Sequence, residues 1–175
     1  QHLAAAFQLL LPGMPMIYYG DEFAMPGAND PDCRRGMYWD EEYQDKEMFE
    51  WYKQLLKVRK NHACIVEGEP IEIAARDEEE TIVLIRKNGE ETLALIFNCS
   101  SSARVFNEYA QKYDLLRENP FDGKIEGLDA AVIVLVEQVV EVQPRVDPFV
   151  DLVAEHGVDH GVAALLEQGL AHQGE

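Results

Sequence analysis

The sequence predicts an α+β composite fold, and two observations carry that expectation. Before about residue 62 the apolar residues fall at helical spacing, interrupted by one short apolar run and a long polar loop. From Ile65 onward the apolar period is two, the signature of half-buried strands. Hydrophobic residues make up 47% of the 175, so a real core can form and wholesale disorder is excluded.

Residues 2–11, HLAAAFQLLL, are good helix formers, and Pro12 and Gly13 end the segment. Met14 to Tyr19 is an apolar run without alternation, the pattern of a parallel strand covered on both faces. Gly20 to Gln44 is a loop rich in Gly, Pro, Asp and Arg, with turn signals at Pro26-Gly27 and Asn29-Asp30-Pro31. Loops of that length without structure of their own are usually functional. Asp45 is placed to cap a helix on which Met48, Trp51, Tyr52, Leu55, Leu56 and Arg59 form one stripe. That stripe reads as core packing.

Further on, Thr81 to Arg86 and Thr92 to Phe97 flank Lys87-Asn88-Gly89-Glu90 and predict a β-hairpin. Ile71 to Ala75, Arg104 to Phe106, Asp114 to Leu116 and Ala131 to Val136 are expected as further short strands. Strands at this spacing predict an antiparallel β-sandwich over 62–137. Beyond it, Asp147 with Pro148, and Asp159, are placed to cap two short helices that stop at Gly157 and Gly169, a helical extension over 138–175.

Acidic residues outnumber basic ones 33 to 15, for a net charge of −18. Such a surface repels nucleic acid and anionic membranes, so neither is an expected partner; a neutral sugar is not excluded. No apolar run reaches membrane-spanning length. Cys33, Cys64 and Cys99 are odd in number and fit no metal spacing, which points to free thiols in a reducing, cytoplasmic setting. His156 and His160 stand four apart, but Gly157 and Asp159 break the helix between them, so no metal or other cofactor is expected. Asn98-Cys99-Ser100 matches a glycosylation acceptor but is read as the end of a strand. The chain opens on Gln-His with a helical pattern already under way, the expected beginning of a fragment.

Three motifs share an order and spacing: Gly13-x-Pro15-x-Ile17-Tyr18-Tyr19-Gly20-Asp21-Glu22, then Asn29-Asp30-Pro31-Asp32-Cys33-Arg34-Arg35, then Met37-x-Trp39-Asp40. They resemble the α-amylase family of glycoside hydrolases (family 13), in its neopullulanase, cyclomaltodextrinase and maltogenic amylase branch. The resemblance implies that residues 1–61 are the C-terminal portion of a (β/α)8 barrel, with Met14 to Tyr19 its eighth strand and the helix after Asp45 its eighth helix. It implies that the β-sandwich follows directly. It gives the helical extension no counterpart. It also implies that the nucleophilic Asp, acid/base Glu and stabilising Asp lie on earlier barrel strands, so no catalytic residue is assigned here.

By the same resemblance, Asp30 and Arg34 bind two hydroxyls of a glucose unit on the non-reducing side of the cleaved bond. The chemistry suits them: a carboxylate accepts from hydroxyls and a guanidinium donates in a fixed fork. The alternative reading of the pair is a salt bridge that shapes the loop. Arg35 is open between a solvent-facing and an acid-pairing role. Tyr19, Asp21 and Glu22 read as scaffold, and Trp39 as a loop anchor. The functional expectation is the C-terminal part of an α-glucan-hydrolysing glycosidase, inactive alone, with an α-glucan or maltooligosaccharide as partner and self-association through exposed strand edges. The rival from another class is a non-catalytic β-sandwich module for carbohydrate binding or assembly.

Overall fold

The computed structural model describes residues 1–136. The described residues belong to one compact unit. The helices expected from Asp147 and Asp159, and the pair His156 and His160, lie outside the described residues.

The described residues form a mainly antiparallel β domain with helices on one face. Helix α1, His2–Leu10, buries Ala5, Ala6, Leu9 and Leu10. Helix α2, Lys46–Asn61, begins where expected: the Asp45 carboxylate accepts a 2.9 Å hydrogen bond from the Met48 amide. Met48, Tyr52, Leu55, Leu56 and Val58 are its buried residues. The two helices are tied through Trp51, whose indole N–H donates to the His2 carbonyl (3.1 Å) while the two rings stack. Arg59 donates to the Leu9 and Leu11 carbonyls (2.7 Å each) and to that of Gly13. A guanidinium thus satisfies the carbonyls that the end of α1 leaves unpaired.

Strand β1 is Glu69–Arg76, β2 Thr81–Asn88, β3 Glu91–Asn98, β4 Arg104–Val105, β5 Tyr113–Asp114, β6 Asn119–Pro120, β7 Lys124–Ile125 and β8 Asp129–Val136. A six-stranded sheet runs β1-β2-β3-β8-β5-β6, and β4 pairs with β7 in a separate two-stranded ribbon. The β2–β3 hairpin forms as expected, with Asn88 facing Glu91, so its two central residues are Gly89 and Glu90. Gly89 has φ +60°, the left-handed conformation a tight hairpin demands at that place.

Two side-chain layers meet the large sheet. On one face Val83, Ala94, Ile96, Ala131 and Ile133 pack with Phe106, Phe121 and Ile125 from the ribbon and its loops. On the other, Phe97 stacks on Phe7 of α1 at 4.2 Å between ring centres, and α1 packs on β3 and β8. Leu93, Ala94, Leu95, Ile96 and Phe97 of β3 are therefore all fully buried.

Three expectations need correction. Met14 to Tyr19 is not a strand: it pairs with no ladder, and Met14 and Met16 are 97% and 72% exposed. A parallel strand exists only between neighbouring strands that take its N–H and C=O groups, and among the described residues no strand lies beside this run. Ile65, where the strand period is expected to set in, lies instead in a short helix, α3, Ala63–Glu67. Gly68 ends it, and a Cβ there would meet the Cys64 carbonyl oxygen at 2.3 Å. Asp114 to Leu116 pairs only over Tyr113–Asp114. The Asp114 carboxylate accepts from the Leu116 amide, from Arg117, which also reaches Asp129, and from the Val132 amide of β8.

Asn98 is fully buried, and its side-chain amide donates to the carbonyls of Ser102, Ile125 and Glu126. That amide is consumed in joining β3 to the ribbon, in line with its reading as a strand end.

Candidate functional site

The loop from Gly20 to Gln44 is held at both ends against α2. At its start, Gly20 has φ +92°, and a Cβ there would sit 2.9 Å from the Met25 side chain, so only glycine fits. The Asp21 carboxylate accepts from the Tyr18 amide (3.2 Å) and Glu22 from the Gly20 amide (2.9 Å). A short 3-10 turn, Asp21–Phe23, follows. Phe23 stacks on Phe49 of α2 at 4.8 Å, and its carbonyl accepts from the Asp45 amide at the loop's far end. These contacts give Asp21 and Glu22 the scaffold role the sequence suggests.

Glu22 is buried, with 5% of its surface exposed, and one of its carboxylate oxygens has no hydrogen-bond partner among the described residues. Burial pushes its carboxyl above the ordinary carboxylate value. Tyr52 of α2 is pushed up to about 12, first by burial and then by the negative charges of Asp21 and Glu22. The burial of Glu22 carries no signal in sequence spacing, because it follows from the turn folding back on α2.

The outer loop holds Asp30 and Arg34. A 3-10 turn, Asp32–Arg34, brings them together. Arg34 donates to the same Asp30 oxygen from Nε (3.1 Å) and Nη2 (2.5 Å). Their side chains are 65% and 63% exposed, so the pair contributes at most ~1 kcal/mol to folding. Asp30 Oδ2 and Arg34 Nη1 make no further hydrogen bond among the described residues and can meet vicinal hydroxyls.

Arg35 is neither solvent-facing nor acid-paired. It donates to the Asp32 carbonyl (3.0 Å) and to the Tyr38 hydroxyl (2.9 Å), while its own carbonyl accepts from the Tyr19 hydroxyl (2.8 Å). It braces the loop from inside. Trp39, expected as an anchor, is 63% exposed, and the Gln44 side-chain amide ties that part of the loop instead, through the Tyr38 carbonyl. Among the described residues no group of His, Cys, Asp or Glu is arranged to hold a metal ion.

The loop thus presents an exposed carboxylate–guanidinium pair beside an antiparallel β domain, and several known proteins resemble this chain. The chain is 45% identical over 97 residues to a cyclomaltodextrinase of Geobacillus thermopakistaniensis, covering 55% of this chain and 16% of that enzyme. It is 38% identical over 96 residues to neopullulanase 2 of Thermoactinomyces vulgaris, with 55% and 16% covered. Against a cyclomaltodextrinase of Thermoanaerobacter pseudethanolicus it is 37% identical over 117 residues, with 66% and 20% covered. Among solved structures, the maltogenic amylase from S. marinus superposes with a TM-score of 0.66 at 26% identity, covering 77% of this chain and 19% of that one. No family model matches the chain. Over the region matched the chain is similar to glycoside hydrolases of the α-amylase family, and it spans 16–20% of the length of these curated relatives.

Proposed function

We propose that this chain is the C-terminal part of an α-glucan-hydrolysing glycosidase of the neopullulanase type. It supplies one wall of the substrate cleft and is inactive alone. The intact enzyme cleaves α-1,4 linkages with retention, and α-1,6 linkages are the second candidate bond. The observation that carries this reading is the run Met14 to Tyr19, apolar yet exposed, leading directly into the loop of Asp30 and Arg34. An apolar run of this kind fits the last strand of a (β/α)8 barrel, where a strand's C-terminal end opens onto the binding loops. Left without neighbours, the same run drives self-association. Three free thiols, at Cys33, Cys64 and Cys99, support a cytoplasmic setting.

In the intact enzyme Asp30 and Arg34 hold a glucose unit remote from the cleaved bond, and that binding energy is used at the reacting centre. The test joins this chain to the upstream portion of the Geobacillus cyclomaltodextrinase and measures kcat/KM on a ladder of maltooligosaccharides. The 175-residue chain alone should show no turnover. In the fusion, Asp30→Ala or Arg34→Ala should lower kcat/KM by roughly ten- to a hundredfold, since each lost charged hydrogen bond is worth about 1.5–3 kcal/mol. The loss should be greater for long substrates than for short ones. Turnover that follows the chain alone through repurification would sink the fragment reading. A length-independent loss together with a lower melting temperature would make the pair structural.

A further inference from the structure

Asp30 and Arg34 do not hold themselves in place. Among the described residues their side chains bond only to each other, as an exposed ion pair. The 3-10 turn beneath them, Asp32–Arg34, is three residues long and starts without a side-chain cap. A turn so short fixes little by itself, and its last carbonyls have no partner within it. The bonds that tie this turn to the rest of the molecule converge on the next residue, Arg35.

Arg35 is half-buried, whereas Arg34 beside it is exposed. Its Nε donates to the carbonyl of Asp32, the first residue of the turn (3.0 Å). Its Nη1 donates to the Tyr38 hydroxyl (2.9 Å), and the Tyr38 carbonyl accepts from the Gln44 side chain (2.8 Å), just before α2. The main-chain carbonyl of Arg35 accepts from the Tyr19 hydroxyl (2.8 Å), where the run Met14 to Tyr19 ends. A planar guanidinium holds two acceptors in a fixed fork, which a point-like ammonium does not. The two neighbouring arginines therefore have different work. Arg34 keeps Nη1 free, and Arg35 gives its guanidinium to the protein.

We propose that Arg35 is a positioning residue for the pair Asp30 and Arg34, with the Tyr19 hydroxyl as its anchor. The inference rests on the proposed function and deepens it. A path of hydrogen bonds runs from the Tyr19 hydroxyl to the Arg35 carbonyl, and from the guanidinium to the turn beneath Arg34. Neither group touches the sugar. Both fix where Asp30 Oδ2 and Arg34 Nη1 stand, and a misplacement of about 1 Å can cost about a hundredfold in rate.

The first test uses the fusion to the upstream portion of the Geobacillus cyclomaltodextrinase. Arg35→Gln should lower kcat/KM for maltoheptaose by roughly tenfold, and the loss should shrink toward maltotriose. Tyr19→Phe removes one oxygen, keeps the ring and should act in the same direction by about threefold. In an Arg34→Ala background Arg35→Gln should add less than about twofold, because it acts through a side chain already gone. A residue that only stabilises the fold would multiply its loss into that background, lower the melting temperature and treat every substrate length alike. Any of these results would overturn the inference.

The second test is 15N relaxation of the 175-residue chain. Arg35→Gln should lower the order parameters of Asp32, Cys33 and Arg34 from about 0.85 toward the flexible range below about 0.6, while Leu93 to Phe97 keep theirs. A turn already flexible with Arg35 present, or one that stays rigid without it, would overturn the inference. Where Arg35→Gln does not fold, Tyr19→Phe carries both tests. The two readings fail separately. A length-dependent loss in Asp30→Ala and Arg34→Ala with none in Arg35→Gln overturns this inference alone. No length dependence in the pair's own variants sinks the pair's binding role, and the positioning role with it, even where the order parameters fall.

Discussion

Strand β3 and the run Met14 to Tyr19 are both apolar, and they end in opposite environments. Leu93 to Phe97 of β3 are fully buried, between the helices on one face and the ribbon residues on the other. Met14 and Met16 are almost bare, and Tyr18 and Tyr19 are 44% and 38% exposed. Apolar character makes a strand available, whereas a ladder on each side and a layer on each face make it form. The β domain supplies both for β3 from within residues 69–136, and the described residues supply neither for Met14 to Tyr19. The difference separates a run whose ladders and layers are present from one that has neither among the described residues.

The largest effect should come from the run whose ladders and layers are present. Phe97→Ala removes a fully buried ring stacked on Phe7. It should cost about 3–5 kcal/mol in denaturant unfolding and release α1 from the sheet. A loss below ~1 kcal/mol would mean that α1 and the sheet are not one packed body. At the junction between the two parts, Asp45→Ala removes the cap of α2 and should cost about 1 kcal/mol by the same measurement.

Glu22 tests the junction by pH. Burial raises its folded value, so the folded chain holds that proton more tightly than the unfolded chain. The favourable contribution is therefore present below the ordinary carboxylate range and is lost as pH rises through the folded value. Glu22→Gln should raise the melting temperature at pH 7 and leave it nearly unchanged at pH 4. A lower melting temperature at pH 7 would show that the carboxylate is stabilising in its ionised form. Smallest of all, Met16→Ser should change stability by no more than about 0.5 kcal/mol, because an exposed side chain without packing partners has little to lose.

Legibility in the sequence followed the same division. The Asp45 cap, α1, α2 and the β2–β3 hairpin were readable because each depends on local signals: a capping carboxylate, a helical stripe, a glycine between alternating runs. Strands β6 and β7 are two residues each, too short to carry a period, and α3 is a single short helix whose only marker is the glycine behind it. Asp30 and Arg34 are legible through their motif, and the 3-10 turn Asp32–Arg34 brings the arginine back to the aspartate. Arg35's partners and the burial of Glu22 depend on how the loop folds back on itself and on α2, which no spacing records.

The most direct test of the account is amide hydrogen exchange at Met14, Met16, Ile17 and Tyr19, compared with Leu93 to Phe97. In the 175-residue chain the first group should exchange at nearly the rate of an unstructured peptide, while the second exchanges only through global unfolding. In the fusion to the upstream portion of the cyclomaltodextrinase, both groups should be protected. Slow exchange at Met14 to Tyr19 in the chain alone, in a monodisperse monomer, would contradict the proposal that this run forms a strand only in the intact enzyme.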